Sequence, residues 1–348
     1  MIFVGDISLP SSITLSSFPQ NILRKLWFGN LEGSLINDEG SLNLDNKVYN
    51  SFETWNTLCN ILNFKAVCLA NNHILDVQPI NESVRNIERL NLKYVGAGSN
   101  IDSACKSLLL DDYDSSKYEI LAFGWDCIDC IYADSRKEGV NPLIREHIIS
   151  EVKKAIQHKT KVICFFHWNY ELELYPQPYD RALAFELIDL GVAAVMGCHA
   201  HRVQQIEFYK GKPIVYGLGN FLFKQNYYFG GQLKYPDFSN EEWAFEISGD
   251  DYYLHRFEYS RERNECVFKD STLISDTSDF YARAEYSGMS LDDYYVFFKQ
   301  NRVQKKMLPI FSHTDIRFFL RIKSKWVFLR GCLISLLVRM KLKGNERR

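Results

Sequence analysis

Side chains of metal-ligating types follow five separate apolar runs of this sequence. The runs are IFVG, WFG, AVCLA, KVICFF and AAVMG, and the residues after them are Asp6; Asn30 and Glu32; Asn71, Asn72 and His73; His167; and His199 and His201. A polar group next to an apolar run meets a desolvation cost unless it has partners, so packing alone does not explain the pattern. We therefore expect the five segments to meet and to share a cation.

The donor atoms indicate which ions such a site would take. Carboxylate, carboxamide oxygen and imidazole together suit manganese, iron or zinc. Glu32 is the best candidate for a carboxylate that bridges two ions, and the His199/His201 pair could reach neighbouring ions from one irregular turn. Two ions can clamp a phosphoryl group and activate water between them. The sequence predicts one or two divalent ions.

Several polar residues near these motifs could support the site. Asp76 and Glu171 could orient ligand histidines, or could act as helix-cap and surface residues. Arg181 or Arg202 could bind a substrate anion, because a planar guanidinium suits phosphate and carboxylate, and an ordinary salt bridge is the alternative. The predicted supporting residues are Asn30, Asn71, Asp76, Glu171, Arg181 and Arg202.

An α/β core is predicted to position these side chains, because short apolar runs alternate with helix-like segments. The predicted strands are Ile2–Val4, Leu26–Phe28, Ala66–Leu69, Glu119–Phe123, Lys161–Phe166, Ala193–Met196 and Pro213–Tyr216. The predicted helices are Phe52–Leu62, Pro79–Leu90, Pro142–Gln157 and Asp180–Leu190. Strand carboxyl ends gather at one edge of an α/β sheet, and this is where the polar residues are expected to meet.

The sequence pattern divides the chain into three parts. Residues 243–270 alternate apolar and polar side chains, which indicates antiparallel strands that complete a domain over residues 1–270. Residues 271–314 show little pattern and are predicted to be a connector. Residues 315–348 are predicted to form a basic amphipathic helical tail.

The tail differs from the rest of the chain in charge. It holds ten Lys/Arg and two Asp/Glu, a charge of +8, whereas the remaining residues hold 31 basic and 41 acidic groups, a charge of −10. One predicted helix face carries Ile322, Trp326, Leu329, Leu333, Leu336 and Met340. Three interpretations are open: a helix docked on the acidic body, a peripheral helix on an anionic membrane, or a contact with a partner protein.

Composition and motifs exclude several classes of function. The acidic body argues against nucleic-acid binding. Neither a G-x-x-x-x-G-K-[ST] loop nor a G-x-S-x-G motif occurs. The N-terminus does not resemble a secretory signal, and the nine scattered cysteines are interpreted as reduced and structural. We expect a cytoplasmic protein, with a peripheral position at the inner face of the membrane as an option.

The motifs resemble those of the CapA-type poly-gamma-glutamate capsule biosynthesis family, relatives of the calcineurin-like metallophosphoesterases. The resembling segments are GDIS (5–8), NLEGSL (30–35), LANNHILD (69–76), HWNYE (167–171) and GCHAHRVQQIEFYKGKPIVYGLGNFLF (197–223). They occur in the family's order and cover roughly residues 1–225. The resemblance implies a four-layer metallophosphoesterase-like sandwich, in which two mixed β-sheets are flanked by helices.

The resemblance also implies a role for each residue of the site. The first ion would be bound by Asp6 and His201, the second by Asn72, His167 and His199, and both by Glu32 as the bridge. His73 matches the position that protonates a leaving-group oxygen in phosphoesterases. Ser8 stands where related enzymes often have a histidine, so the first ion is short of one nitrogen ligand.

Two functions are consistent with this sequence. One is a metal-dependent phosphoesterase-like hydrolase that acts on a phosphoester or an anionic polymer in capsule, poly-gamma-glutamate or exopolysaccharide biosynthesis. The alternative is a non-catalytic, metal-containing binding protein that supports synthesis or export of an anionic polymer at the membrane.

Overall fold

The computed structural model describes residues 1–38, 40, 42–305 and 307–340. Its strands are β1 (Ile2–Ser8), β2 (Thr14–Ser16), β3 (Trp27–Leu31), β4 (Ser34–Ile36), β5 (Tyr49–Ser51), β6 (Phe64–Cys68), β7 (Lys93–Val95), β8 (Ala97–Gly98), β9 (Leu108–Asp111), β10 (Lys117–Gly124), β11 (Gly139–Val140), β12 (Lys161–His167), β13 (Ala194–Cys198), β14 (Val203–Tyr209), β15 (Lys212–Leu218), β16 (Asn220–Phe223), β17 (Glu241–Ser248), β18 (Asp251–Ser260) and β19 (Glu265–Ile274). Its helices are α1 (Gln20–Leu23), α2 (Phe52–Ile61), α3 (Ile80–Arg89), α4 (Ile101–Ala104), α5 (Arg145–Ala155), α6 (Pro178–Leu190), α7 (Tyr228–Gly231, a single irregular turn), α8 (Leu291–Asn301) and α9 (Arg317–Arg339).

Two large mixed sheets form the centre of the molecule. The first has the order β2-β19-β18-β17-β1-β3-β6-β7, with β16 also paired to β1. In it β1, β3, β6 and β7 run parallel, whereas β17, β18 and β19 are antiparallel. The second has the order β14-β15-β13-β12-β10-β9, with parallel strands at its centre and an antiparallel strand at each edge.

The two sheets pack face to face and are covered by helices. Strand β1 of the first sheet contacts β13 and β15 of the second. Across this interface the Phe28 and Phe165 rings meet edge to face, with centroids 5.2 Å apart. On the outer faces, α3 packs near β7, and α5 and α6 pack near β10 and β13. This arrangement confirms the predicted α/β sandwich of two mixed sheets flanked by helices.

The central strands are uniformly apolar because both of their faces are buried. Strand β12 shows this most clearly, since its side chains are buried from Val162 through His167. All seven predicted strands and four predicted helices overlap observed elements. The helix predicted from Pro142 begins later, at Arg145, because Leu143 instead donates its backbone N–H to Gly124 in an extended segment.

The segment predicted as a connector contains regular structure. Strand β19 continues to Ile274, and α8 begins after Ser290, whose hydroxyl accepts the Asp293 N–H at 3.1 Å. Tyr294 of α8 is fully buried and donates its hydroxyl to the Pro176 carbonyl at 2.8 Å. The segment therefore packs against the sandwich.

The tail is helical from Arg317 to Arg339, as its apolar periodicity predicts, and residues 341–348 lie outside the described residues. Within the described part of the chain, no helix is both long enough and apolar enough to cross a membrane.

Glu242 on β17 gives the fold a pH dependence. Its carboxylate is buried, with Oε2 3.3 Å from the Leu222 N–H and Oε1 without a hydrogen-bond partner among the described residues. Burial raises the pKa of Glu242 from 4.5 to about 7. A carboxyl group with a raised pKa contributes stability that is fully present below the unfolded-state pKa and is lost as the pH rises through the folded-state pKa.

In the wild type we expect the free energy of unfolding to fall by about 3 kcal/mol between about pH 4.5 and 7, because each pH unit between the two pKa values corresponds to about 1.4 kcal/mol. We expect Glu242→Gln to abolish this fall. Urea unfolding at a series of pH values measures the difference from wild type. Glu258→Gln is the matched control, since that side chain is 57% exposed. An unchanged pH dependence in Glu242→Gln would contradict the assignment.

Candidate metal centre

The ends of parallel strands from both sheets meet at one edge of the sandwich. In the first sheet Asp6 of β1 is paired in register with Asn30 of β3. In the second sheet His167 ends β12 and is paired in register with Cys198, which ends β13. The carboxylate of one sheet and the imidazole of the other come within 3.7 Å, measured from Asp6 Oδ1 to His167 Nδ1.

An irregular turn after β13 supplies two more imidazoles. His199 and His201 both have left-handed backbone conformations, with φ of 90° and 51°. Such φ values are uncommon for residues other than glycine and are held by surrounding contacts. The turn follows Gly197, where a Cβ would lie 2.0 Å from the Tyr216 carbonyl oxygen, so this close approach requires glycine.

Asp6, Glu32 and His201 form a first cluster of possible ligands. One donor atom from each lies within 4.8 Å of the others, and all three residues are buried. His201 bridges the carboxylates, with Nδ1 3.5 Å from Asp6 Oδ2 and Nε2 3.6 Å from Glu32 Oε1. Neither Glu32 oxygen has a hydrogen-bond donor among the described residues.

Asn72, His167 and His199 form a second cluster beside the first. His167 Nε2 lies 2.8 Å from Asn72 Oδ1 and 3.1 Å from His199 Nδ1. These spacings are close to the separation of about 3 Å between neighbouring ligands of an ion that binds nitrogen at about 2.1 Å. Asn72 Oδ1 and His199 Nδ1 thus both lie beside His167 Nε2, close enough for the three side chains to contribute to one cation site, while His167 Nδ1 faces Cys198 Sγ at 3.2 Å.

Amide side chains hold the carboxylate and the loops in place. Asn30 donates from Nδ2 to Asp6 Oδ1 at 2.8 Å, and its Oδ1 accepts a hydrogen bond from Asn71 Nδ2 at 3.1 Å. Asn71 also accepts the backbone N–H of His73 at 3.1 Å. The backbone N–H of His199 donates to Asp6 Oδ2 at 2.9 Å. Asn30 and Asn71 therefore position the possible ligands and link the segments that carry them.

Electrostatics of the site favour a bound cation. Burial, together with the nearby carboxylates of Asp6, Glu171 and Asp76, raises the pKa of Glu32 well above its usual range. Burial and the neighbouring imidazoles lower the pKa of His167 and of His199 well below the ordinary value, so both rings are neutral and can offer lone pairs. A cation would compensate the buried carboxylates, so the residues present fit a divalent metal.

His73 stands at the edge of the two clusters and is oriented by Asp76. Its Nδ1 lies 2.8 Å from Asp76 Oδ2, while Nε2 lies 3.9 Å from Glu32 Oε1. Asp76 Oδ2 is itself fixed by the backbone N–H of Val48 at 3.1 Å. Asp76 thus contacts His73, and the His73 side chain is partly exposed to the cavity.

A cavity of about 900 Å³ opens in front of the clusters. Asn72, His73, His199 and His201 form part of its wall, and Glu171 lines it as an exposed carboxylate. Part of the opposite wall belongs to α9. The site is therefore accessible to a ligand of substantial size.

The two arginines considered for substrate binding lie elsewhere. Arg181 is buried and forms a bidentate ion pair with Glu207, at 2.9 Å from Nε and 2.7 Å from Nη2. Its role is structural, so the suggestion of substrate binding is corrected. The Arg202 guanidinium carbon lies 4.1 Å from the centroid of the Phe238 ring, and its Nη1 donates to the Leu172 carbonyl at 3.3 Å. Neither arginine lines the cavity.

Sequence reasoning missed two neighbours of His201. Asn220 Oδ1 lies 2.9 Å from His201 Nδ1, and the Tyr235 ring stacks on the imidazole with centroids 4.4 Å apart. Asn220 follows an apolar strand, so the signal that identified the other residues applies to it as well. Cys198, interpreted as packing, also contacts His167 and belongs to a possible ligand group with Asp6 and His167.

Ser8 is the residue that stands in place of the histidine expected from the family resemblance. Its hydroxyl is 2.5 Å from the Tyr228 hydroxyl and 3.4 Å from the Tyr49 carbonyl oxygen. Tyr228 also donates to the Tyr49 carbonyl at 2.6 Å. The Ser8 side chain is therefore held in a hydrogen-bonded group with the Tyr228 hydroxyl and the Tyr49 carbonyl.

Curated proteins with similar sequences include two CapA proteins. The PGA biosynthesis protein CapA of Bacillus subtilis is 31% identical over 168 residues, which cover 48% of this chain and 44% of that protein. The capsule biosynthesis protein CapA of Bacillus anthracis is 28% identical over 170 residues, covering 47% and 41%. The match spans less than half of the length of each relative.

Solved structures give more distant matches. A 5'-nucleotidase precursor from Thermus thermophilus has a TM-score of 0.33 at 11% identity, covering 70% of this chain and 44% of that one. Vps29 complexed with zinc from Entamoeba histolytica has a TM-score of 0.31 at 9% identity, covering 80% and 100%.

The model of one protein family matches residues 20–225, more than half of the chain. The matched range includes every residue of the two clusters except Asp6. Asp6 lies beside them because β1 pairs with β3. On this match, together with the motifs and the CapA relatives, the chain belongs to the family of the bacterial capsule synthesis protein PGA_cap.

Proposed function

We propose that this chain is a metal-dependent phosphoesterase-like hydrolase that serves the biosynthesis of a bacterial capsule or exopolymer. The observation that carries the proposal is Glu32, a fully buried carboxylate whose Oε1 lies 3.6 Å from His201 Nε2 and 3.9 Å from His73 Nε2. Neither of its oxygens has a hydrogen-bond donor among the described residues. A buried, uncompensated carboxylate is costly, whereas a carboxylate between two cations is stabilised.

The two clusters divide the ligands between two ions. Asp6 and His201 would hold one ion, Asn72, His167 and His199 would hold the other, and Glu32 would bridge them. Manganese, iron or zinc suits these oxygens and nitrogens. Bound ions would supply charge stabilisation for a phosphoryl group and a water of lowered pKa. Because Ser8 provides no nitrogen, we expect the ion on Asp6 and His201 to be the weaker one.

The residues around the ions supply proton transfer and orientation. Asp76 fixes the orientation of the His73 ring through Nδ1, which leaves Nε2 to donate a proton to the leaving oxygen of an ester in the cavity. Asn30 orients Asp6, and Asn220 and Tyr235 orient His201. The chain's own groups thus hold the ligands and supply a general acid.

The names of the relatives suggest the biological setting. A substrate in poly-gamma-glutamate or polysaccharide assembly, either a phosphoester intermediate or the anionic polymer, is consistent with a cavity of about 900 Å³. The second candidate function is non-hydrolytic binding of such a polymer for synthesis or export. The hydrogen-bonded Ser8, where a nitrogen ligand would complete a hydrolytic site, favours that candidate.

Metal analysis of the purified chain tests the two clusters separately. We expect up to two ions per chain after equilibration with manganese, and loss of one of them in each of His199→Ala and His201→Ala, because the two histidines belong to different clusters. His158→Ala is the matched control, since its side chain is 57% exposed and pairs with Glu119 outside the cavity. Wild-type metal content in both site variants would argue against the proposal.

Turnover of aryl phosphodiesters and phosphomonoesters with added manganese tests the hydrolytic role. We expect His73→Ala to lower kcat by about 10²–10⁴-fold with unchanged metal content, since general acid catalysis contributes about that much. Asp76→Asn should give a smaller loss of the same kind, and His158→Ala none. Absence of turnover with every divalent ion tested, in protein that binds metal normally, would favour the non-hydrolytic candidate.

A further inference from the structure

Helix α9 contacts the body through a narrow inner face. Leu320 and Val327 are partly buried against the main core, and Cys127 Sγ donates to the Ser324 hydroxyl at 3.0 Å. Trp326 Nε1 donates to the Met307 carbonyl at 2.8 Å. These contacts fix the N-terminal half of the helix, and the following turns extend along the cavity.

Most of the apolar stripe that the sequence places on this helix is exposed. Trp326 is 44% exposed, Ile322 47%, Leu333 56% and Leu329 60%. The stripe continues to Met340, over about 27 Å of helix at 1.5 Å per residue. The body contacts the stripe only at its edges, through the Trp326 hydrogen bond to Met307 and through Leu336 in the cavity wall, so Ile322, Leu329 and Leu333 are left as an apolar surface.

Basic side chains flank the stripe on both sides. At 3.6 residues per turn, Arg321 and Lys325 lie along one border of the stripe and Arg330 along the other. Arg321 and Lys325 are exposed. An apolar face bordered by Lys and Arg is typical of helices that lie in the plane of a membrane interface, where anionic headgroups attract the basic residues.

The charge of the tail favours a membrane, rather than a second copy of the chain, as the surface that covers the stripe. Residues 315–348 carry a charge of +8, so two copies meeting through α9 would bring like-charged helices together. An anionic lipid surface complements both the apolar stripe and its basic borders. We propose that α9 is an interfacial helix that docks this chain on an anionic membrane through the stripe defined by Ile322, Trp326, Leu329 and Leu333.

Docking would place the metal centre close to the lipid surface. Val327, Arg330 and Leu336 of α9 line the same cavity as His199 and His201. The cavity would therefore lie about one helix diameter, roughly 10 Å, from the membrane. If the hydrolytic function holds, its substrate would be a phosphoester presented at the membrane surface. The docking itself does not depend on that function.

Co-sedimentation with vesicles tests the docking. We expect the full chain to pellet with phosphatidylcholine vesicles that contain about one-third phosphatidylglycerol, and much less with phosphatidylcholine alone. Arg321→Gln/Lys325→Gln should weaken binding about tenfold, and about 0.5 M salt should reduce the difference between that variant and wild type, since salt screens exposed charges.

The decisive variant is Leu329→Gln/Leu333→Gln, which we expect to weaken vesicle binding at least about tenfold because both side chains would enter the acyl boundary. Leu273→Gln/Val296→Gln is the matched control, since these apolar side chains are 55% and 53% exposed on β19 and α8. Both variants should keep the wild-type Tm and metal content, which separates this test from that of the metal centre.

Three results would overturn the proposal. One is a full chain that stays in the supernatant with anionic vesicles. Another is vesicle binding that Leu329→Gln/Leu333→Gln leaves unchanged. The third is a wild-type dimer, seen by light scattering, that the same variant converts to a monomer, because the stripe would then be covered by a second copy.

Discussion

The requirement that two buried carboxylates be compensated governs this structure. Asp6 and Glu32 lie in the interior beside His167, His199 and His201, and burial keeps two of those imidazoles neutral. Asp6 receives hydrogen bonds from an amide and a backbone N–H, whereas Glu32 has no such donors among the described residues. The surrounding elements hold these groups close together, and a divalent cation would compensate them.

The architecture meets this requirement by bringing two sheets together at one edge. Parallel strands deliver side chains at their carboxyl ends, and the sandwich places the end of β1 opposite the ends of β12 and β13. Gly197 lets β13 approach β15 closely, and the turn after β13 has left-handed conformations at His199 and His201. Asn30 and Asn71 then join the segments without adding charge, so the buried negative charge remains available to a metal.

The cavity joins this centre to the C-terminal helix. One wall carries the imidazoles and the other carries α9, whose contacts with the sandwich use its narrow inner face. The basic tail thus lies beside the cavity of the acidic body, with Arg330 in the cavity wall and Arg321 and Lys325 exposed. This arrangement is consistent with the proposals that the chemistry occurs in a polar cavity and that α9 contacts a membrane.

The sequence by itself predicted the central strands, four helices of the body, the tail helix and most of the possible ligands, because the apolar periodicity and the polar residues after each strand are local properties. It did not determine that both candidate arginines lie outside the cavity wall: Arg181 pairs with Glu207, a residue 26 positions away in the chain. Only the tertiary structure shows that Asn220 contacts His201 and that most of the α9 stripe is exposed. These outcomes depend on distances between remote segments and on competition for buried partners, and a local pattern contains neither.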